Sequence, residues 1–370
     1  MFVKRKVPFF NYPFVFQQKE EELLGIVKDV GRRGAFIMQH DLREFEAELA
    51  SFVGAKYAVG VANATDGLQI GLMAGGLKQG DEVIICSHTM VATAAAIHYA
   101  GGVAVPIDAA EDHLIDVSKI ETAITNKTRA IMPTQLNGRT TNMDVVNEIA
   151  RKYNLDIYED AAQALGSKFK GKSAGTFGIA SAISFYPAKL LGTFGDGGAV
   201  LTNDEGVYDE LMLLRDHGRN SDGNIVAWGM NSRLDNLHAA ILKFFLKEYD
   251  QVITRRREIA SIYEKKLSSI EALKLPPAPG VDENHFDVFQ NYEIEAQRRD
   301  ALKNHLSKNG VGTLVQWGGE AIHQLTHLGF KQNLPDMDRL FERMLMIPMN
   351  MSLTDEDVDY VCDCIASYYN

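Results

Sequence analysis

Between Tyr57 and Asn203 the chain repeats one pattern: a short, nearly continuous apolar run, then a segment with apolar residues at helical spacing. YAVGVAN, EVIIC, GVAVPI, RAIMPTQ, LDIYED, IASAISF and GAVLTN are rich in β-branched and small apolar residues and too short for helices, so they predict strands. DGLQIGLMAGGL, SKIETAIT and MDVVNEIARKYN predict helices or helix-containing connections. Strands that are apolar on both faces, separated by helices, predict a mostly parallel sheet covered on each side, an α/β fold. The stretch from Val83 to Asp108 is apolar enough to mimic a membrane span. Its two histidines, Gly-Gly pair and proline instead divide it into a strand, a helix from about Met90 to Ala100, a turn and a second strand.

A long helical pattern follows from about Arg233 to Ser268, and PPAPG (Pro276 to Gly280) breaks the chain after it. Beyond Val281 the pattern is α+β. It predicts a strand in FQNYEIEA, a helix from Arg298, a strand at VGTLVQW, and a terminal helix N-capped by Thr354 with Asp355, Glu356 and Asp357 on its positive end. The expected organisation is a large domain over residues 31–268 and a small C-terminal α+β domain over 269–370. An N-terminal segment, 1–30, carries the helix EEELLGIVKDV, which is expected to pack on the small domain.

Composition narrows the partners. A formal charge of −11 over 370 residues argues against a nucleic-acid surface or a polybasic membrane anchor, though not against a locally basic pocket for a small anion. The three cysteines, Cys86, Cys362 and Cys364, make no disulfide framework, and the C-x-C pair lacks the partners of a zinc site. No metal is expected, and the thiols read as reduced and cytoplasmic. Prolines and polar residues interrupt MFVKRKVPFFNYPFVF, so it does not read as a signal peptide.

Ligands of open parallel sheets bind at the carboxyl ends of the strands, so chemistry is sought there. After YAVGVAN come Ala64 and Thr65 at a helix start, which is either an anion nest or a plain N-cap. After LDIYE come Asp160 and, one turn on, Gln163; the acid alone could simply cap the next segment. After ISF come Ser184, Tyr186, Pro187 and Lys189, then the glycine-rich GTFGDGG. The lysine alone could snorkel to solvent. Together these residues match the needs of pyridoxal phosphate: an amine for its aldehyde, a carboxylate for its pyridinium nitrogen, and hydroxyls with backbone N–H groups for its phosphate. Burial and a cationic cofactor would lower the lysine's basicity, making it a usable base once released.

EDAAQALGSKFKGKSAGTFG, SFYPAKLLGTFGDGGAVLTND, RDHGR and GMNSRLDNLHAA together resemble the DegT/DnrJ/EryC1/StrS family of fold-type-I, pyridoxal-phosphate-dependent sugar aminotransferases. The resemblance runs over nearly the whole chain. It implies that Lys189 forms the internal aldimine and shuttles the proton, and that Asp160 pairs with the ring nitrogen. It further implies that Gln163 meets the ring oxygen and that Ser184 with the Ala64–Thr65 turn holds the phosphate. Asn231 matches a residue that reaches the phosphate in the neighbouring subunit, which implies a homodimer with shared active sites. Arg219 and His323 fall in segments resembling substrate-side elements, with salt bridging or capping as the plainer alternatives. The implied reaction moves an amino group from L-glutamate to a nucleotide-linked ketosugar.

The chain departs from the family pattern in two places. Met90 stands where an aromatic residue commonly stacks on the cofactor ring, with His88 able to stand in, and PTQLNGR carries Gln135 and Asn137 in place of a histidine and a tyrosine. Both departures bear on the sugar side. A cyclitol or other carbocyclic ketone is an alternative acceptor, and a catalytically silent binding or regulatory protein is an alternative of another class. The dehydratase branch carries histidine where this chain has Lys189. A nicotinamide-binding reading fails because no G-x-G-x-x-G follows the first strand.

Overall fold

The computed structural model describes residues 4–369. All seven apolar runs are strands of one sheet: β1 (Tyr57–Val61), β2 (Glu82–Cys86), β3 (Val103–Ile107), β4 (Thr128–Met132), β5 (Asp156–Asp160), β6 (Ala180–Ser184) and β7 (Gly198–Thr202). Their order is β1-β7-β6-β5-β4-β2-β3. β7 runs antiparallel to both its neighbours, and the remaining pairs are parallel. Successive residues of β7 explain the apolar continuity: Ala199 and Leu201 enter one core, with Leu42, Phe45 and Leu49 of helix His40–Val53. Val200 enters the core on the opposite face, with Leu68 and Leu72 of helix Ala64–Ala74. Both faces are dry, which a sheet needs when helices cover it on both sides.

The stretch that mimics a membrane span is β2, helix Val91–Tyr99 and β3. Among the described residues, no helix is long and apolar enough to cross a membrane. All three cysteines are buried and unpaired.

The long helical region is two helices, Asn236–Leu246 and Tyr249–Leu267. The second spans two cores: Tyr249 and Ile253 pack with the large sheet, while Ile259, Tyr263 and Leu267 pack with β8 (Tyr292–Ala296), β9 (Met344–Ile347) and the terminal helix. The change of core therefore falls inside this helix, ahead of the boundary expected after Ser268. β8 is the centre of a three-stranded antiparallel sheet between Leu273–Lys274 and β9. The strand expected at VGTLVQW is absent; the segment makes single bridges at Val311 and Leu314, then turns with Trp317 at φ 55° and Gly318 at 70°. Its β-branched residues are satisfied by packing, and the left-handed turn stops a ladder from propagating. The terminal helix Asp355–Tyr369 starts at Thr354, whose Oγ1 accepts from Asp357 N–H while the Asp357 carboxylate accepts from Thr354 N–H.

The N-terminal helix is not where it was expected. The first described residues do join the small core: Val7 pairs with Val311, and Asn350 donates to the carbonyls of Pro8 and Phe9. Helix Glu20–Arg33, however, lies against helix Asn236–Leu246 of the large unit, flanked by the Lys19–Glu248 and Arg33–Asp41 ion pairs at 2.9 Å each. Its amphipathic stripe required a partner, and the neighbouring apolar helix supplied one.

Candidate active site

The carboxyl ends of β1, β5 and β6 converge. Asn63 caps helix Ala64–Ala74, its Oδ1 accepting from Asp66 N–H at 2.9 Å, which leaves the N–H groups of Ala64 and Thr65 at an open, positive helix end. Gly198 begins β7 against this turn: a Cβ there would lie 2.6 Å from Asn63 C and 2.7 Å from Ala64 N. Ser184, the last residue of β6, is the register partner of Gly198. Two N–H groups thus meet the side-chain-free backbone of Gly198, with Ser184 on the neighbouring strand, and residues of these types are the donor set of a phosphate cradle.

Asp160 ends β5, is 5% exposed, and is held from two directions. Its Oδ2 accepts from Thr93 Oγ1 at 2.6 Å and its Oδ1 from Ala162 N–H at 3.2 Å. Thr93 heads a line of buried hydroxyls: Thr89 lies 2.7 Å from it, and Thr134 donates to Thr89 at 2.9 Å. Burial pushes the Asp160 carboxyl above its ordinary value, opposed by these two hydrogen bonds and the charge of Lys189. Burial in turn lowers the Lys189 ammonium from 10.5 to about 8, opposed by Asp160. The two groups are close enough to titrate each other. Among the described residues Lys189 Nζ makes no ion pair or hydrogen bond of its own, so the amine is held by its backbone.

That backbone is fixed by residues about a hundred positions away. Gln290 accepts from Leu190 N–H at 2.9 Å and donates to Ala188 O at 2.8 Å, bracketing Lys189 on both sides. Arg256 Nη1 donates to the carbonyls of Phe289 and Gln290, at 3.0 and 2.8 Å. A cavity of about 580 Å³ opens beside Lys189, lined by Tyr186, Phe9, Phe10, Tyr12 and Asn350 among others. Tyr186 is 49% exposed at its mouth.

Gln163 is oriented through its oxygen. Its Oε1 accepts from Asn137 N–H at 2.9 Å and from Asn291 Nδ2 at 3.2 Å, so its NH₂ group remains as a donor. Met90 is 52% exposed at the start of helix Val91–Tyr99. His88 does not stand in for a stacking ring: it is fully buried against Phe341. Gln135 is likewise turned inward, donating to Glu159 at 2.8 Å and accepting from Thr141 N–H at 2.7 Å. Asn137 binds Asn291, Gln316 and Glu293. The departures in PTQLNGR are thus absorbed by internal hydrogen bonds.

Neither residue expected on the substrate side meets the cleft within one chain. His323 is buried, its Nδ1 2.8 Å from Ser87 Oγ and its Nε2 3.0 Å from Asp338 Oδ1. Both ring nitrogens are used, so it joins the end of β2 to helix Pro335–Arg343 instead of facing a ligand. Arg219 sits on a projecting turn and donates to Gly223 O at 3.1 Å. Asn231 is exposed at the base of that same arm, which carries Trp228, Ile225 and Val226 at 96%, 68% and 58% exposure. Sequence reasoning missed Thr93 and Gln290. The hydroxyl in MVATAAAIHY was the available signal for the first; nothing local signalled the second.

The chain is similar to known proteins over nearly its whole length. A model of the DegT/DnrJ/EryC1/StrS aminotransferase family matches residues 17–366. The chain is 34% identical to a pleiotropic regulatory protein of Geobacillus stearothermophilus, over 98% of both chains. It is 33% identical to dTDP-3-amino-3,4,6-trideoxy-alpha-D-glucose transaminase of Streptomyces venezuelae, over 98% of this chain and 96% of the relative. Among solved structures, S. venezuelae DesV in complex with a ketimine intermediate superposes with a TM-score of 0.94 at 33% identity, covering 99% of each chain.

Proposed function

Because the chain belongs to the DegT/DnrJ/EryC1/StrS aminotransferase family, we propose that it moves an amino group from L-glutamate to a ketosugar carried on a nucleoside diphosphate. The family's cofactor is pyridoxal phosphate, and the residues at the strand ends fit it: an amine of lowered basicity, a buried carboxylate, and a cradle that a single Cβ at position 198 would fill. The observation that carries the reading is that Lys189, on the loop after β6, and the buried Asp160, at the end of the adjacent β5, lie near enough for the charge of each to oppose the effect of burial on the other.

When bound, pyridoxal phosphate supplies the aldehyde that takes the amine and the ring that spreads the charge developing at the donor's α-carbon. The chain does the rest. Asp160 would be the partner of the ring nitrogen's proton, and its hydrogen bonds from Thr93 and Ala162 favour the charged form against the effect of burial. Ser184 and the N–H groups of Ala64 and Thr65 bind the phosphate. The free NH₂ of Gln163 would be the donor to the ring oxygen, and the exposed Met90 would be available to the ring face. Lys189 Nζ would be the amine that holds the cofactor, and burial, which lowers its basicity to about 8 in the chain without cofactor, suits it to accept the proton of the donor α-carbon and give it back. Tyr186 and the neighbouring cavity receive the acceptor.

The assembly that suits this site is a homodimer. The apolar arm around Trp228 is exposed in one chain, and covering it with a second copy would carry Asn231 toward the partner's phosphate cradle. The acceptor class is tested by loading the enzyme with amine from L-glutamate, removing free donor, and offering dTDP-, UDP- and GDP-ketosugars beside a carbocyclic ketone. Return of the lysine-bound cofactor band with a nucleotide ketosugar supports the reading. Return with the carbocyclic ketone alone overturns it.

A further inference from the structure

A second cluster of chemically capable residues lies outside the transamination machinery. His88, just past β2, is fully buried, and among the described residues neither of its ring nitrogens has a hydrogen-bond partner. Its Nε2 points at Glu293 Oε2 from 3.6 Å, and that carboxylate oxygen is also unpartnered and 1% exposed as a side chain. The other oxygen of Glu293 lies 2.8 Å from His113 Nδ1. His113, on the loop after β3, holds a left-handed φ of 67°. One atom from each of His88, His113 and Glu293 can be chosen so that all lie within 4.8 Å of one another.

An ordinary ion pair accounts for half of this geometry. His113 with Glu293 satisfies one carboxylate oxygen and one imidazole. It leaves a buried imidazole and a buried carboxylate oxygen facing each other at 3.6 Å, within ion-pair range but too far apart for a hydrogen bond, and burying either without a hydrogen bond is costly. A divalent cation between them removes both costs at once. Two imidazoles and a carboxylate form a borderline-soft ligand set suited to zinc-class ions and not to magnesium or calcium, which take oxygen ligands. Zinc holds nitrogen and oxygen at about 2.0–2.2 Å, so ligand atoms already gathered within 4.8 Å need only small side-chain movements to close on it.

The outer partners fit as well. Glu295 Oε1 lies 3.3 Å from His113 Nε2, the nitrogen left over when Nδ1 binds, giving the carboxylate–histidine–metal arrangement that fixes a ligand's tautomer. A cavity of about 30 Å³, lined in part by His113, Glu293 and Asn137 and not by His88, has room for a water on the His113–Glu293 side of the cluster.

We propose that His88, His113 and Glu293 form a structural transition-metal site of the zinc class. It ties the ends of β2 and β3 in the large unit to β8 in the small one. It also braces the cofactor pocket: Asn137 donates to Glu293 at 3.3 Å through its side chain and to Gln163 through its backbone. The site is too buried to meet substrate, so it acts on stability and alignment rather than on the chemical step.

The test uses the full-length holoprotein, stripped with chelator, dialysed and titrated with Co²⁺. The expected result is a visible d–d band that saturates at one equivalent per chain, is displaced by Zn²⁺, and is accompanied by a Zn²⁺-dependent rise in Tm of several degrees. His88→Phe, which keeps a ring against Phe341, and Glu293→Gln should lose both responses, while His98→Gln on the surface keeps them. The X-ray absorption spectrum of the cobalt-loaded wild type needs no variant, and two imidazoles in its first shell would support the site. No band in the wild type, an undiminished band in folded His88→Phe, or a shell with fewer than two imidazoles overturns the proposal.

Discussion

Thr93 donates its hydroxyl to Asp160 Oδ2 over 2.6 Å, so the first turn of helix Val91–Tyr99 holds the carboxylate that the cofactor ring needs charged. Burial alone would favour a neutral acid there, and this bond is the first of the influences that oppose it. Thr93→Val keeps the shape and removes the donor. A hydrogen bond to a charged group contributes about 1.5–3 kcal/mol, so the L-glutamate half-reaction should slow about tenfold or more. Thr93→Ser should recover most of the rate. Stopped-flow bleaching of the cofactor band measures both, and equal rates for the valine variant and wild type would remove Thr93 from the account.

Gly198 meets the Asn63–Ala64 turn at a distance no Cβ tolerates. Gly198→Ala should therefore open the cradle and weaken pyridoxal phosphate binding by about tenfold or more, in keeping with the loss of one or more charge-assisted hydrogen bonds. Titration of the apoprotein with cofactor reads the change. Unchanged affinity in a folded variant would place the phosphate elsewhere.

Gln290 brackets Lys189 through Leu190 N–H and Ala188 O. It is a positioning residue, so Gln290→Met should lower kcat more than it raises the KM for L-glutamate. It should also shift the pH profile of the half-reaction as the amine's surroundings change. A rise in KM alone, with an unmoved pH profile, would assign it to packing.

Lys189 also bears on stability. Its native pKa, about 8, lies below its ordinary value of 10.5, so between those values the unfolded chain binds more protons than the folded one. Stability of the apoprotein should rise with pH across that window, and below it the cost of the buried ammonium is fully present. Apo Lys189→Met should accordingly melt above apo wild type at pH 7, with the gap shrinking by pH 10. Thermal scans of the two apoproteins at both pH values decide it; a gap independent of pH would mean that the lysine is not desolvated.

The sheet was legible because each strand is a short apolar run bounded by turn residues, and because Lys189, Asp160, Ser184 and the Ala64–Thr65 turn directly follow such runs. What was not legible depends on contacts far apart in the chain. Gln290 reaches Ala188 across 102 positions, and His88 meets Glu293 from a different unit. Helix Glu20–Arg33 announced that it had an apolar face without saying which neighbour it would cover. VGTLVQW carried strand propensity, and a left-handed turn at Trp317 overrode it. His323 looked available in sequence because nothing local reveals that Ser87 and Asp338 occupy both its nitrogens.

The central claim is that Lys189 carries the cofactor and moves the proton. It is tested most directly by the absorbance spectrum of the purified protein, before and after excess L-glutamate, beside Lys189→Ala. The account predicts a near-ultraviolet or visible band from cofactor joined to the lysine, bleached by glutamate in the wild type and not cycling in the variant. No band even after pyridoxal phosphate is added, or a variant that cycles at the wild-type rate, would contradict it.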